Sequence, residues 1–115
     1  MDAQKIAKAV FADAVEQGVK KYVKMLQDTT EKTFKKQYPN VGIPTLKYQK
    51  GRRYYKVVRE EASGAGKSVV AFVDKETGDI YKAANWKAPA KHSRGNVLDT
   101  TTWRHHTWHG PYYLK

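Results

Sequence analysis

Apolar side chains at Phe11, Val15, Val19, Tyr22 and Leu26 recur three or four positions apart, the spacing that gathers residues on one stripe of an α-helix. Lys20, Lys24 and Lys35 fall on the opposite side, with Asp13, Asp28 and Glu31 among them. From Asp2 to Gln37 the chain is rich in Ala, Lys, Gln and Glu, contains no proline, and meets a stop at Tyr38-Pro39-Asn40. This predicts one long amphipathic helix within residues 1–38, lying on a core. Ile6 and Val10 leave that stripe and join Ala3, Ala7 and Ala14 on a second, small-residue face. Either the helix breaks near Asp13 or Gly18, or this face meets another chain, as in a homo-oligomer joined through the N-terminal helix.

The period then changes. Residues 39–44 read as a connector bounded by two prolines. Leu46-Lys47-Tyr48 and Tyr54-Tyr55-Lys56-Val57-Val58 have the aromatic and β-branched content of strands, parted by Lys50-Gly51. Val69-Val70-Ala71-Phe72-Val73 is too short and too β-branched for a helix and predicts a central strand buried on both faces. Asp74-Lys75-Glu76-Thr77-Gly78-Asp79 has turn chemistry, with Gly78 able to take a positive φ, and Ile80-Tyr81-Lys82-Ala83 returns as the partner strand. An antiparallel meander of three to four strands therefore spans residues 45–86, with Trp86 as a core plug at its end. Residues 87–96 show no period, contain Pro89 and several basic groups, and predict a surface loop opening an aromatic-rich C-terminal segment over residues 87–115. Asp99 or Thr100 is placed to cap a short helix there. The fold class is α+β, in one domain spanning residues 1–115.

Composition narrows the function classes. The chain of 115 residues has no cysteine, so neither a disulfide framework nor a thiolate zinc site supports it. No apolar run approaches the ~20 residues of a spanning helix, and no signal peptide is legible, so an intracellular protein without membrane partners is expected. Twenty-two Lys and Arg against eleven Asp and Glu give a formal charge of +11, a self-repelling balance that suits an anionic partner. Residues 62–86 balance Lys67, Lys75 and Lys82 against Asp74, Glu76 and Asp79, so the excess lies on either side of a neutral middle.

The segment over residues 72–96, from Phe72-Val73-Asp74-Lys75-Glu76-Thr77-Gly78-Asp79-Ile80-Tyr81 through Trp86-Lys87-Ala88-Pro89 to Arg94-Gly95-Asn96, resembles one found in small uncharacterised proteins of tailed bacteriophages. The preceding Arg53-Tyr54-Tyr55-Lys56-Val57-Val58-Arg59 is similar to the strand before that hairpin. The resemblance implies origin rather than mechanism: expression in a bacterial host cytoplasm, with packaging into virions as a second destination.

Chemistry-bearing patterns are few. Gly64-Ala65-Gly66-Lys67-Ser68 looks like the end of a phosphate-binding loop, but Glu61 stands where its first glycine belongs, and a strand follows where a helix must begin. His105 and His109 would share a face of a helix and reach one metal ion, the arrangement a small metal-dependent nuclease would need. In a strand they would lie about 13 Å apart, and Thr100-Thr101-Thr102 is a poor helix former, so packing among aromatic residues is the preferred reading. No serine or acid pair has an activating context, no motif calls for a cofactor, and a non-enzymatic protein is expected. The remaining signal is basic and aromatic. Lys47, Lys50, Arg52, Arg53, Lys56 and Arg59 interleave with Tyr48, Tyr54 and Tyr55, charges for phosphates beside rings for an unstacked base. Lys87, Lys91 and Arg94 on the following loop would extend the track. The expected nucleic-acid-binding set is thus Lys47, Lys50, Arg52, Arg53, Tyr54, Lys56, Arg59, Lys87, Lys91 and Arg94. Docking on an acidic host or phage protein is the competing expectation.

Overall fold

A computed structural model describes residues 3–64 and 66–107. Helix α1 (Ala3–Gln37) runs unbroken for 35 residues, about 52 Å at 1.5 Å per residue, close to the 55 Å long dimension of the molecule. Five strands follow: β1 (Thr45–Lys50), β2 (Tyr54–Glu60), β3 (Lys67–Asp74), β4 (Asp79–Ala83) and β5 (Pro89–Asn96). They form one antiparallel sheet in chain order, with β3 at its centre. A 3-10 turn at Thr100–Trp103 comes next, capped by Asp99, whose carboxylate accepts a hydrogen bond from the Thr101 N–H at 3.1 Å. The α+β class and the single helix on an antiparallel meander are as the periodicity predicts.

One part of the prediction is corrected. Residues 87–96 are not an extended surface loop: Pro89–Asn96 is a fifth strand paired with β4. The features that hide it, Pro89, Lys91, His92 and Arg94, are those an edge strand carries, since proline and charge block further pairing.

The helix covers one face of the sheet. Val15, Val19, Tyr22 and Leu26 pack with Leu46, Tyr55, Val57, Val70, Ala71, Val73 and Ile80. A bulge in the β2–β3 register, Val57 opposite Ala71 but Val58 opposite Val69, leaves Val70 as an extra residue, so Val70 and Ala71 both join this core. Leu26 and Ile80 are fully buried, each stabilising the fold by about 1.5–3 kcal/mol through lost apolar exposure. The Gln27 amide ties helix to sheet, accepting from Leu46 N–H at 2.7 Å and donating to the Pro44 carbonyl at 3.2 Å. It satisfies the start of edge strand β1 as a neighbouring strand would.

Of the two outcomes expected for the second helix face, the break does not occur. Gly18 does not break α1; it admits the chain's own Val97, whose carbonyl would lie 2.7 Å from a Cβ at position 18. Farther toward the N-terminus the helix outruns the sheet. Ile6, Val10 and also Phe11, expected on the core stripe, are exposed, because burial on α1 starts only near Val15. No helix among the described residues is long and apolar enough to cross a membrane.

The hairpin joining β3 and β4 is built as its residues predict. Asp74 accepts from the Glu76 N–H at 2.7 Å, and Thr77 Oγ1 accepts from the Asp79 N–H at 3.1 Å. Gly78 takes φ +80, where a Cβ would also approach Asn96 Oδ1 to 2.9 Å. Asn96 in turn donates to the Thr77 carbonyl and to Asp79, fastening β5 to this turn.

Candidate nucleic-acid interface

Alternation along a strand sends neighbouring side chains to opposite faces. On β2, Tyr55 and Val57 enter the helix-covered core, so Tyr54 and Lys56 point to the other face of the sheet. Opposite Lys56 on β3 stands Phe72, and opposite Phe72 on β4 stands Tyr81. Tyr54 meets Phe72 edge to face at 5.9 Å and Tyr81 at 6.4 Å. This outer face therefore carries a cluster of rings with Lys56 beside it, the Lys56 ammonium lying 5.9 Å from the Phe72 ring.

The link between β4 and β5 brings Trp86 to the same place. Ala84 and Asn85 N–H groups both donate to the Ala88 carbonyl, at 3.0 and 3.3 Å, and the Asn85 side chain accepts from the Lys87 N–H at 2.8 Å. The resulting tight loop sets the Trp86 ring 4.4 Å from the Lys56 ammonium, a cation–π contact reaching across β3. Trp86 is 43% exposed. It is not the core plug its position at the hairpin's end suggests.

Beside this cluster is an open concavity of about 250 Å³ whose lining includes Arg52, Arg53, Tyr54, Lys56, Phe72 and Lys87. Its floor is aromatic and its rim is cationic. Three parts of the chain supply it: the β1–β2 turn with the start of β2, the turn fixed by a bond from Gly51 N–H to the Tyr54 carbonyl; Phe72 on β3; and the loop bearing Lys87. The β1–β2 turn is braced further where the Lys75 N–H donates to the Arg53 carbonyl at 3.1 Å.

Four cations of the predicted track are already paired with carboxylates of the chain. Lys47 pairs with Glu60, and that contact holds the Glu60 carboxyl below its usual range. Lys50 bonds Glu16 on α1 at 3.0 Å; the bond raises the ammonium and lowers the carboxyl, which also accepts from the Tyr48 hydroxyl. Arg53 reaches the buried Asp74 at 3.3 Å, and Arg59 Nε donates to Glu61 at 3.1 Å. Arg52, Lys56 and Lys87 make no ion pair among the described residues, and all three line the concavity.

Lys91 and Arg94 are not brought to this site. They lie on β5, and neither lines the concavity. Lys91 is exposed, Arg94 is half-buried, and the Arg94 carbonyl accepts from His106 Nε2 at 3.1 Å. The expected continuous track is therefore divided, with only Lys87 of the second segment reaching the first. Trp86 is the feature that sequence reasoning left out of the site. Its neighbour Lys87 was the available signal, because a cation beside an indole in a polar loop is what a ring-and-charge site needs.

The C-terminal histidines have separate places. His105 is exposed and His109 lies outside the described residues. His106, between them, is buried in the packing that joins α1 to the chain after β5. Tyr22, fully buried and with its phenol pushed up by desolvation, donates to His106 Nδ1 at 2.6 Å and meets both His106 and Trp103 edge to face. Because a carbonyl only accepts, Nε2 carries the proton given to Arg94, and Nδ1 is the acceptor for Tyr22. Among the described residues no group of three or more His, Asp or Glu side chains is placed to hold a metal ion. The Lys67-Ser68 pair after the glycines lies in β3 rather than at a helix start.

Residues 3–114 match a family of unknown function, DUF7717, and the chain belongs to it. No curated protein and no solved structure matches the chain.

Proposed function

We propose that this member of DUF7717 is a non-enzymatic nucleic-acid-binding module that holds phosphates at the outer face of its sheet. The observation that carries the reading is the convergence of Arg52, Lys56 and Lys87 on one concavity floored by Tyr54 and Phe72. Three cations with no ion pair among the described residues gain most from an external anion, and the overall charge of +11 steers any polyanion toward the molecule. The resemblance of residues 72–96 to tailed-phage proteins supports placing this activity in an infected bacterial cytoplasm.

Fluorescence anisotropy with labelled oligonucleotides across a salt series tests the reading. Binding is expected with Kd of about 1–100 µM at low salt. About three neutralised phosphates predict a loss of roughly 20- to 40-fold between 50 and 200 mM salt. Joint replacement of Arg52 and Lys87 by Glu should weaken binding at least tenfold, on the scale of two lost charge-assisted contacts. No binding at low salt would reject the proposal.

A second reading, docking on an acidic host or phage protein, draws on the projecting end of α1, where exposed Ile6 and Val10 stand beside Lys5 and Lys8. Its signature is a stable complex lacking nucleic acid that Val10→Glu disrupts.

A further inference from the structure

Trp86 has the wrong address for a structural residue. An indole left 43% exposed in a loop forgoes much of the burial that normally justifies its size. Yet the loop holding it is pinned by the hydrogen bonds at Ala84, Asn85 and Lys87, which fix the backbone that carries the ring. Lys56 stands 4.4 Å from the ring and occupies one of its faces. The other face is the natural seat for a flat partner. Lys87, the next residue along, lines the concavity with Arg52, so a charge site for phosphate adjoins a ring site for a base.

Resting on the nucleic-acid reading above, we infer that the ligand is an unpaired strand, with one base stacked on the outward face of Trp86 and its phosphate between Lys87 and Arg52. A duplex keeps its bases stacked on one another and offers this ring nothing except at its ends, whereas every unpaired base has a π-face to give. Stacking is indifferent to base identity, so this site selects strand state more than sequence.

The test compares wild type, Trp86→Ala and Trp86→Phe by anisotropy against single-stranded DNA, single-stranded RNA and duplex DNA of equal length at fixed salt. Wild type should prefer at least one single strand over duplex by about fivefold or more. Trp86→Ala should weaken single-strand binding by about 5- to 100-fold, the range for one lost base–aromatic stack, change duplex binding less than twofold, and leave the salt dependence unaltered. Trp86→Phe should fall between. Single strands should quench indole emission in wild type more than in Trp86→Phe, which reads the stack directly. Circular dichroism and thermal unfolding of both variants verify the fold. If duplex binds as well as single strands, or Trp86→Ala weakens both equally or neither, the stacking site is overturned while phosphate binding stands. If no nucleic acid binds, both proposals fall together.

Discussion

The two faces of the sheet are made from the same strands and nearly the same residue types, yet they do different work. On β2, Tyr55 and Val57 disappear beneath α1, while Tyr54 and Lys56, each one position away, meet rings and solvent on the far side. Tyrosine occurs on both faces and so does lysine: Lys75 lies 5.2 Å from the Tyr55 ring, and Lys56 lies 4.4 Å from the Trp86 ring. What differs is the cover. One face has a helix laid on it that completes a dry core; the other has only a short loop, which leaves cations and an indole in water. Residue type sets what a face can do, and its cover decides whether its side chains are buried in the fold or left open to solvent.

Substitutions on the helix-covered face should break the fold first. Leu26→Ala empties a fully buried site and should cost about 2–5 kcal/mol, measured by urea unfolding. A loss below 1 kcal/mol would mean the helix is less firmly seated than its contacts indicate. Next is Gly18→Ala. Helix propensity alone predicts a gain of up to about 1 kcal/mol, whereas the added Cβ would meet the Val97 carbonyl at 2.7 Å. We expect a net loss of about 1–3 kcal/mol, and the sign of the change decides between the two effects.

Acid should act through His106 on the same side. Burial pushes its imidazole down from the ordinary value, an effect only partly offset by the Arg94 carbonyl. The folded state therefore resists protonation, while the unfolded chain takes up a proton below about pH 6.5. Stability from this group is complete above that pH and declines on acidification, by at most about 1.4 kcal/mol per pH unit, until the folded imidazole itself protonates. Denaturant midpoints measured between pH 7.5 and 5 should show this slope, and His106→Gln should reduce it.

The smallest effect on stability should come from the outer face. Arg52→Glu or Lys87→Glu removes an exposed cation with no ion pair among the described residues and should shift unfolding by less than about 0.5 kcal/mol. A larger shift would show that this face supports the fold after all, and the contrast with Leu26→Ala would lose its force.

Legibility in the sequence follows the range of the interactions. The helix, the β3–β4 hairpin and the Asp99 cap are written in residues a few positions apart, and their periodicity and turn chemistry were readable. The fifth strand was not, because its pairing partner β4 excuses it from an apolar pattern, and an edge strand is better with Pro89 and charge than without them. In the site, Arg52, Tyr54 and Lys56 were readable as a basic-aromatic run. That Lys50 and Arg53 would be paired within the chain was not, since Glu16 lies on the helix and Asp74 on β3, opposite Tyr54.

Taken alone, the sequence determined the α+β class, the helix stop at Tyr38-Pro39-Asn40, the central hairpin and a charge of +11 divided around a neutral middle, because each depends on local spacing or on a sum. The basic domain first legible as a polyanion binder remains one in proposal, but its cations are not equivalent. Only tertiary structure decided that Arg52, Lys56 and Lys87 line one concavity, that Lys91 and Arg94 stay outside it on an edge strand, and that Trp86 is displayed rather than buried. Those facts depend on strand register and on a loop crossing a sheet face, and no spacing along the chain encodes the distance between two segments until the sheet has placed them.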